Sequence, residues 1–328
     1  MKKAMSGFDL RAMARELDAL KGAYIKKAYM PHYEQIVLRV NPKEAEQRDI
    51  VFVRGERVYT SQRDRPMPMT PPPFAMVLRK HLRNARLTGV EQVGFDRVLA
   101  FRFDTKNGQR TLYVEVFRDG NIILVDEEGV IVQPLTHASY AGRTLKKGVS
   151  YTPPPAATDP YALDEASLGE LLVASDRDLV STLGGKVNLG ATHANAVCAL
   201  AAHEPNSPTE QADGKAVFDA LQTLLRRLED SEEGHLILRL EADDPEHWLQ
   251  TCASMDQNQR QAWLSQRAIE ATPILLPQHA DVPRVSFDSL CETIDVWKGI
   301  HDAHALQRRE EERFEQAGPG RGPVSYTH

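Results

Sequence analysis

The chain has 328 residues, 41% hydrophobic and 26% charged, enough to bury a core and to form about two domains at roughly 100 to 200 residues each. No apolar run approaches the ~20 residues that cross a bilayer, and the opening MKKAMSGFDLRAM lacks the apolar stretch of a secretory signal; a cytoplasmic location away from membranes is expected. The net charge of −6 hides a division: residues 1–150 hold 26 Lys and Arg against 17 Asp and Glu, a net of +9, and residues 151–328 hold 14 against 29, a net of −15. The first half is expected to meet a polyanion and the second is not.

Ser6 followed by Asp9 predicts a helix start, because a serine oxygen accepts from free backbone amides and an early acid meets the positive helix end. Phe8, Ala12, Met13, Leu17 and Leu20 share one face, and Gly22 offers a stop, giving a helix over residues 7–21. Short strands at 23–30, 33–40, 50–54 and 57–61 follow, punctuated by Pro31, Asn41-Pro42 and Gly55, as an antiparallel meander. A proline-rich loop, 63–73, leads into a helix with Phe74, Val77, Leu78 and Leu82 on its apolar side. That helix also carries Arg79, Lys80 and His81, which either meet its negative end or contact phosphate.

Alternation resumes at Val98, where Leu99, Phe101 and Phe103 share one face. A turn around Asn107-Gly108 returns the chain into a strand at 110–117, and Arg118-Asp119-Gly120 into another at 121–126. Residues 1–145 therefore read as an antiparallel β-rich domain with two helices. Residues 146–160, with Pro153-Pro154-Pro155, read as a linker.

Residues 161–205 give helix, glycine-rich turn (GGKVNLG, 184–190) and helix, the outline of a helix-hairpin-helix. Backbone amides at such a turn can bind a phosphate, here with Lys186; the alternative is a purely structural turn. Residues 206–284 are a mixed α/β segment with an amphipathic helix at 215–229, a strand at 235–240 and a helix at 257–270. Residues 285–316 begin a long, coiled-coil-like helix, and 317–328 (AGPGRGPVSYTH) form a disordered tail. The fold class is α+β. Cys198, Cys252 and Cys291 are far apart and odd in number, so neither a disulfide framework nor a zinc site is expected.

Three runs carry a resemblance: TPPPFAMVLRKHL (70–82), GFDR (94–97) and VEVFRDGNIILVD (114–126). In this order they resemble the N-terminal domain of the NFACT proteins, the RqcH and NEMF group of ribosome-associated quality-control factors, in wording nearest the archaeal members. The resemblance runs from about residue 5 to about 202 and is weaker to about 314. It implies a domain like the N-domain of formamidopyrimidine-DNA glycosylases, then a helix-hairpin-helix and a long coiled coil leading to a second conserved domain, which this sequence does not contain. It also implies engagement of transfer RNA on an obstructed large ribosomal subunit, supporting template-free C-terminal addition to the stalled chain. Asp96 and Arg97 match the family's Asp-Arg pair, and Glu115, Val116 and Phe117 its neighbouring strand motif.

The chemistry fits RNA. Arg97 offers planar donors for phosphate or a base edge, Asp96 can orient that fork or accept from a 2′-hydroxyl, and Phe117, Phe95 and Tyr113 are candidates to stack bases. Arg118, Arg79, Lys80 and Lys186 complete the candidate RNA contacts; the other reading of Asp96-Arg97 is a structural ion pair. An adaptor without cofactor or metal is expected, rather than an enzyme. The alternative is a DNA glycosylase or abasic-site lyase, but the chain begins Met1-Lys2-Lys3 instead of the Pro-Glu such enzymes use, leaving Lys2 or Lys3 as the Schiff-base amine. His301 and His304 stand at i, i+3 without a third ligand, and no GxxxxGK[ST], HExxH or GxSxG is present.

Overall fold

The computed structural model describes residues 4–317. Helix α1 (Gly7–Asp18) starts on a reciprocal cap, with Ser6 Oγ accepting from Asp9 N and the Asp9 carboxylate accepting from Ser6 N. It ends before the expected residue 21, and the chain reverses through Gly22 at φ +91°. The meander follows as β1 (Tyr24–His32), β2 (Gln35–Asn41), β3 (Arg48–Val53) and β4 (Arg57–Ser61), then α2 (Pro73–Leu82) with proline in its first turn. Next come β5 (Arg86–Gln92), β6 (Val98–Thr105), β7 (Gly108–Glu115), β8 (Asn121–Val125) and β9 (Ile131–Pro134). The order is β4-β3-β2-β1-β5-β6-β7-β8-β9, with every pairing antiparallel.

Strand β5 has no counterpart among the expected strands. Gly89 interrupts its alternation, and the pairing with β6 slips between Leu87 and Gly89, which erases the period-two pattern. Strands β1 and β5 pair through Tyr24 and Arg86 and a few flanking backbone bonds, so the sheet folds sharply there. Its two halves face each other: Phe52 of β3 meets Phe101 of β6 edge-on at 5.2 Å. Helix α1 packs on β4, β5 and β6, and α2 on β1, β6 and β9. Leu10, Met13, Leu78, Leu82, Leu99, Phe101 and Phe103 fill the core between them.

At one end the halves touch backbone to backbone. A Cβ on Gly120 would lie 2.6 Å from Gly55 Cα and 2.3 Å from Glu115 O, so the β3–β4 and β7–β8 turns meet only because glycine stands in both. Strands β10 (Ala138–Tyr140) and β11 (Arg143–Leu145) form a hairpin. The expected linker is partly tied down: Ile131 N donates to Val149 O at 2.8 Å, and Tyr151 N to Gly129 O at 2.8 Å.

Helices α3 (Glu165–Val173), α4 (Leu179–Gly185), α5 (Gly190–Leu200) and α6 (Gly214–Asp230) build a second core, which also takes in Phe8 and Phe95 from the sheet domain. Strand β12 (Gly234–Leu238), helices α7 (Trp248–Ser254) and α8 (Gln257–Arg267), β13 (Ala268–Thr272) and β14 (Arg284–Phe287) follow, with the sheet ordered β13-β12-β14. The helix expected through 270 stops at Arg267 because Ala268 to Thr272 pairs with β12.

The single long helix expected near the end is divided into α9 (Leu290–Ile294), a wide π turn over Asp295–Gly299, and α10 (Ile300–Ala317). Asp302 of α10 accepts from Arg57 Nε at 3.0 Å, Arg57 Nη2 at 2.5 Å and Tyr59 Oη at 2.6 Å, all buried. That network fastens the helix to β4. The expected tail from residue 318 lies outside the described residues. All three cysteines are buried and unbridged. Among the described residues no helix is long and apolar enough to cross a membrane.

Candidate nucleic-acid interface

The β5–β6 turn that carries Asp96 and Arg97 is fixed from four sides. Val93 N donates to Val98 O at 2.9 Å and closes it, and Gln92 Nε2 bridges Asp96 O at 2.8 Å and Gly7 O at 2.9 Å. Val116 N donates to Arg97 O at 2.7 Å. Phe95 plugs into the helical core, its ring 4.8 Å from Phe8 and 5.7 Å from Tyr161, and its carbonyl accepts from Asn188 Nδ2 at 3.3 Å.

Asp96 and Arg97 do not pair through their charges. Asp96 Oδ1 accepts from the backbone N of Arg97 at 2.7 Å, and the Arg97 guanidinium is exposed with no hydrogen-bond or ion-pair partner among the described residues. Such a group keeps all five donors for an incoming acceptor.

Glu115 and Val116 occupy a different place from the surface expected of them. Val116 is fully buried, and Glu115 has a side-chain exposure of 0%. Both Glu115 carboxylate oxygens accept from Arg143 Nη2 at 2.6 Å, and Oε2 accepts from Tyr151 Oη at 3.0 Å. Burial pushes the Glu115 carboxyl above its ordinary range; Arg143 pulls it back, and the neighbouring charge of Asp96 adds to the rise. These residues act as struts behind the turn.

Phe117 is half-buried, and Arg118 is exposed beside Asp119, whose φ is +58°. Arg54 Nε donates to Gly120 O at 2.6 Å and braces this second turn. Of the candidate stacking rings, Phe95 is buried as an anchor and Tyr113 lies flat on Tyr151 at 4.0 Å, which leaves Phe117.

Lys186 is exposed at the end of α4, two residues before Asn188, so the helical turn and the Arg97 turn are neighbours through the Asn188 to Phe95 bond. Asn188 and Gly190 hold φ of +64° and +69°. The segment is a helix, a four-residue turn and a helix. Arg79 and Lys80 stand apart from it: α2 precedes the opposite end of the β5–β6 hairpin, at Arg86 and Thr105. Arg79 Nε donates to Ala28 O at 2.7 Å and its guanidinium lies 5.3 Å from the Tyr29 ring centre, so it is partly spent on the fold; Lys80 is exposed. Lys2 and Lys3 lie outside the described residues. His301 Nε2 sits 3.2 Å from Ser265 Oγ.

The sequence reading missed Gln92, Asn188 and Arg143, which hold the turn in place. Only an Asn before a Gly, at 188 and 190, hinted at a left-handed position; the long-range pairings leave no local pattern.

The family model for NFACT N-terminal and middle domains matches residues 6–312. The chain is 25% identical to the archaeal Rqc2 homolog aRqcH of Methanocaldococcus jannaschii, over 96% of this chain and 45% of that protein. It is 31% identical to the human ribosome quality control complex subunit NEMF, over 54% of this chain and 16% of that protein. It thus spans less than half the length of these curated relatives. Among solved structures, the N-terminal part of the fibronectin/fibrinogen-binding protein from Streptococcus suis superimposes with a TM-score of 0.65 at 23% identity, covering 89% of this chain and 98% of that one. The match of the family model along almost the whole length places this chain in the NFACT family, through its N-terminal and middle domains.

Proposed function

We propose that this chain is the RNA-engaging part of a ribosome quality-control adaptor, which holds a transfer RNA on an obstructed large ribosomal subunit and supports template-free tailing of the stalled chain. The names of the relatives supply the setting, since they are ribosome quality control factors. The observation that carries the reading is the Arg97 guanidinium: exposed, without an intramolecular partner, and mounted on a turn anchored to two cores.

Rigid mounting matters because an ordered cation loses little freedom when it meets a phosphate. Arg97 would take the RNA backbone or a base edge, Arg118 and Lys186 would add charge from the flanking turns, and Phe117 would offer a ring face. Asp96 holds the turn by accepting from the Arg97 amide, so its part is to position. Glu115 and Val116 support from behind. The chain acts as a binding adaptor, with tRNA and the large subunit as partners.

Fluorescence anisotropy with labelled tRNA tests this on wild type, Arg97→Ala and Asp96→Ala. Arg97→Ala is expected to weaken binding roughly tenfold or more, the worth of one charged hydrogen bond or two. Equal affinity for all three proteins would remove the site.

A further inference from the structure

A groove of about 910 Å³ runs between α2, β1 and the β6–β7 turn. Lys26, Lys27, Arg79, Lys80, Arg83 and Lys106 line it, with His81 among them, and no carboxylate does. Several cations elsewhere are matched with acids: Arg11 with Glu229, Arg86 with Asp104, Arg102 with Glu91, Lys215 with Asp219. None of the six groove cations makes an ion pair among the described residues. A concave surface with unbalanced positive charge raises the local concentration of a polyanion.

The groove is remote from Arg97. Strand β6 runs from Val98, beside Arg97, to Thr105 at the groove, eight residues or roughly 25 Å at the ~3.3 Å rise of a strand. By contrast, a cavity of about 1060 Å³ beside α1 and β4 is lined by Glu16, Glu229, Asp230, Glu232, Asp288, Glu292 and Asp295 against Arg15 and Arg48, a net negative lining.

We infer that the α2 groove is a second phosphate-backbone site, which takes a stretch of the same RNA roughly 25 Å from the point where Arg97 engages it. This rests on the reading that the domain binds RNA, and adds a site and a span to it. Two sites on one RNA make the second contact intramolecular, so affinity depends on an RNA long enough to reach both. His81 reports occupancy. Burial holds it below its ordinary value of 6.5, helped by Arg110 of β7, Lys80 on its own helix and Lys147 beyond β11. A phosphate seated there offsets those charges, so His81 takes up a proton on binding and the groove binds more tightly as pH falls.

The test uses a fluorescein-labelled RNA hairpin with a stem longer than the span, titrated at 50 and 200 mM salt. The variants are Arg97→Ala and the triple Lys80→Gln/Arg83→Gln/Lys106→Gln, whose three side chains are exposed and without partners, so their loss leaves the fold intact. At ~0.7 to 0.9 counterions released per contact, the triple variant should lose roughly 20- to 40-fold less affinity than wild type over that fourfold rise in salt. In the same titration the His81 ring proton, followed by NMR, should show a raised pKa in wild type. If Arg97→Ala weakens binding while the triple variant keeps the wild-type salt response, the groove proposal falls and the Arg97 reading stands. If the triple variant alone responds, the Arg97 reading falls and the groove stands. An unmoved His81 in an RNA-saturated sample overturns the groove proposal, as does equal competition by polyglutamate of matched charge, which would make it an acidic-peptide site.

Discussion

Glu115→Ala separates a strut from a contact. The Glu115 carboxylate has no exposed surface and holds Arg143, whose side chain is 5% exposed, through two 2.6 Å contacts. Removing it leaves a buried guanidinium without its counter-charge, which costs about 3 to 5 kcal/mol, and strips Tyr151 Oη of its acceptor for about 1 kcal/mol more. Replacing both charges, as in Glu115→Leu/Arg143→Met, leaves no orphan ion, so the double variant should lie much closer to wild type than either single change. Urea unfolding measures this through the shift in midpoint at constant slope. Binding of tRNA, corrected for the folded fraction, should be near wild type in the double variant. A Glu115→Ala protein as stable as wild type but weak for tRNA would refute the reasoning and return Glu115 to the surface.

Gly120→Ala should destabilise by about 3 kcal/mol or more, or prevent folding, because the new methyl meets backbone at 2.3 and 2.6 Å rather than a side chain that can swing away; an unchanged melting temperature would contradict the close approach. Asp302→Ala takes two contacts from Arg57, which keeps only the partly exposed Glu56, and the acceptor from Tyr59 Oη, and should cost about 3 kcal/mol, with faster amide exchange confined first to α10. His235 is buried, pairs across the sheet with Ser286 at 2.7 Å, and is held below 6.5 by burial, which outweighs the opposing charge of Glu233 with help from the nearby Arg284, His279 and Arg227. Between its folded and unfolded values the unfolded chain binds more protons, so stability rises with pH through the window just below 6.5 and is lost on acidification. His235→Val should flatten that slope in pH-dependent urea melts.

Much of this was legible in the sequence. The cap at Ser6 and Asp9, the strand at Val98 and the glycine turns follow local rules, and the structure has them within a few residues. The α+β class with a large antiparallel sheet was legible for the same reason. Strand β5 was not, since a bulge at Gly89 hides its period. The division of the last helix was not either, because the π turn at Asp295–Gly299 keeps helical spacing in the sequence while shifting the face. At the candidate site, Asp96 and Arg97 stood out, but which neighbours face outward depends on long-range partners: Glu115 is turned inward by Arg143, 28 residues away, and Phe95 by Phe8 and the helical core. The cationic groove draws on β1, α2 and the β6–β7 turn, which only the folded sheet brings together.

The central claim is that a rigidly mounted Arg97 meets RNA. A titration of labelled tRNA against Arg97→Ala and wild type, at several salt concentrations and with both melting temperatures recorded, tests it most directly. The expected result is a loss of roughly tenfold or more in affinity, a salt slope shallower by about 0.7 to 0.9, and no change in melting temperature. Wild-type affinity and slope in Arg97→Ala would contradict the account.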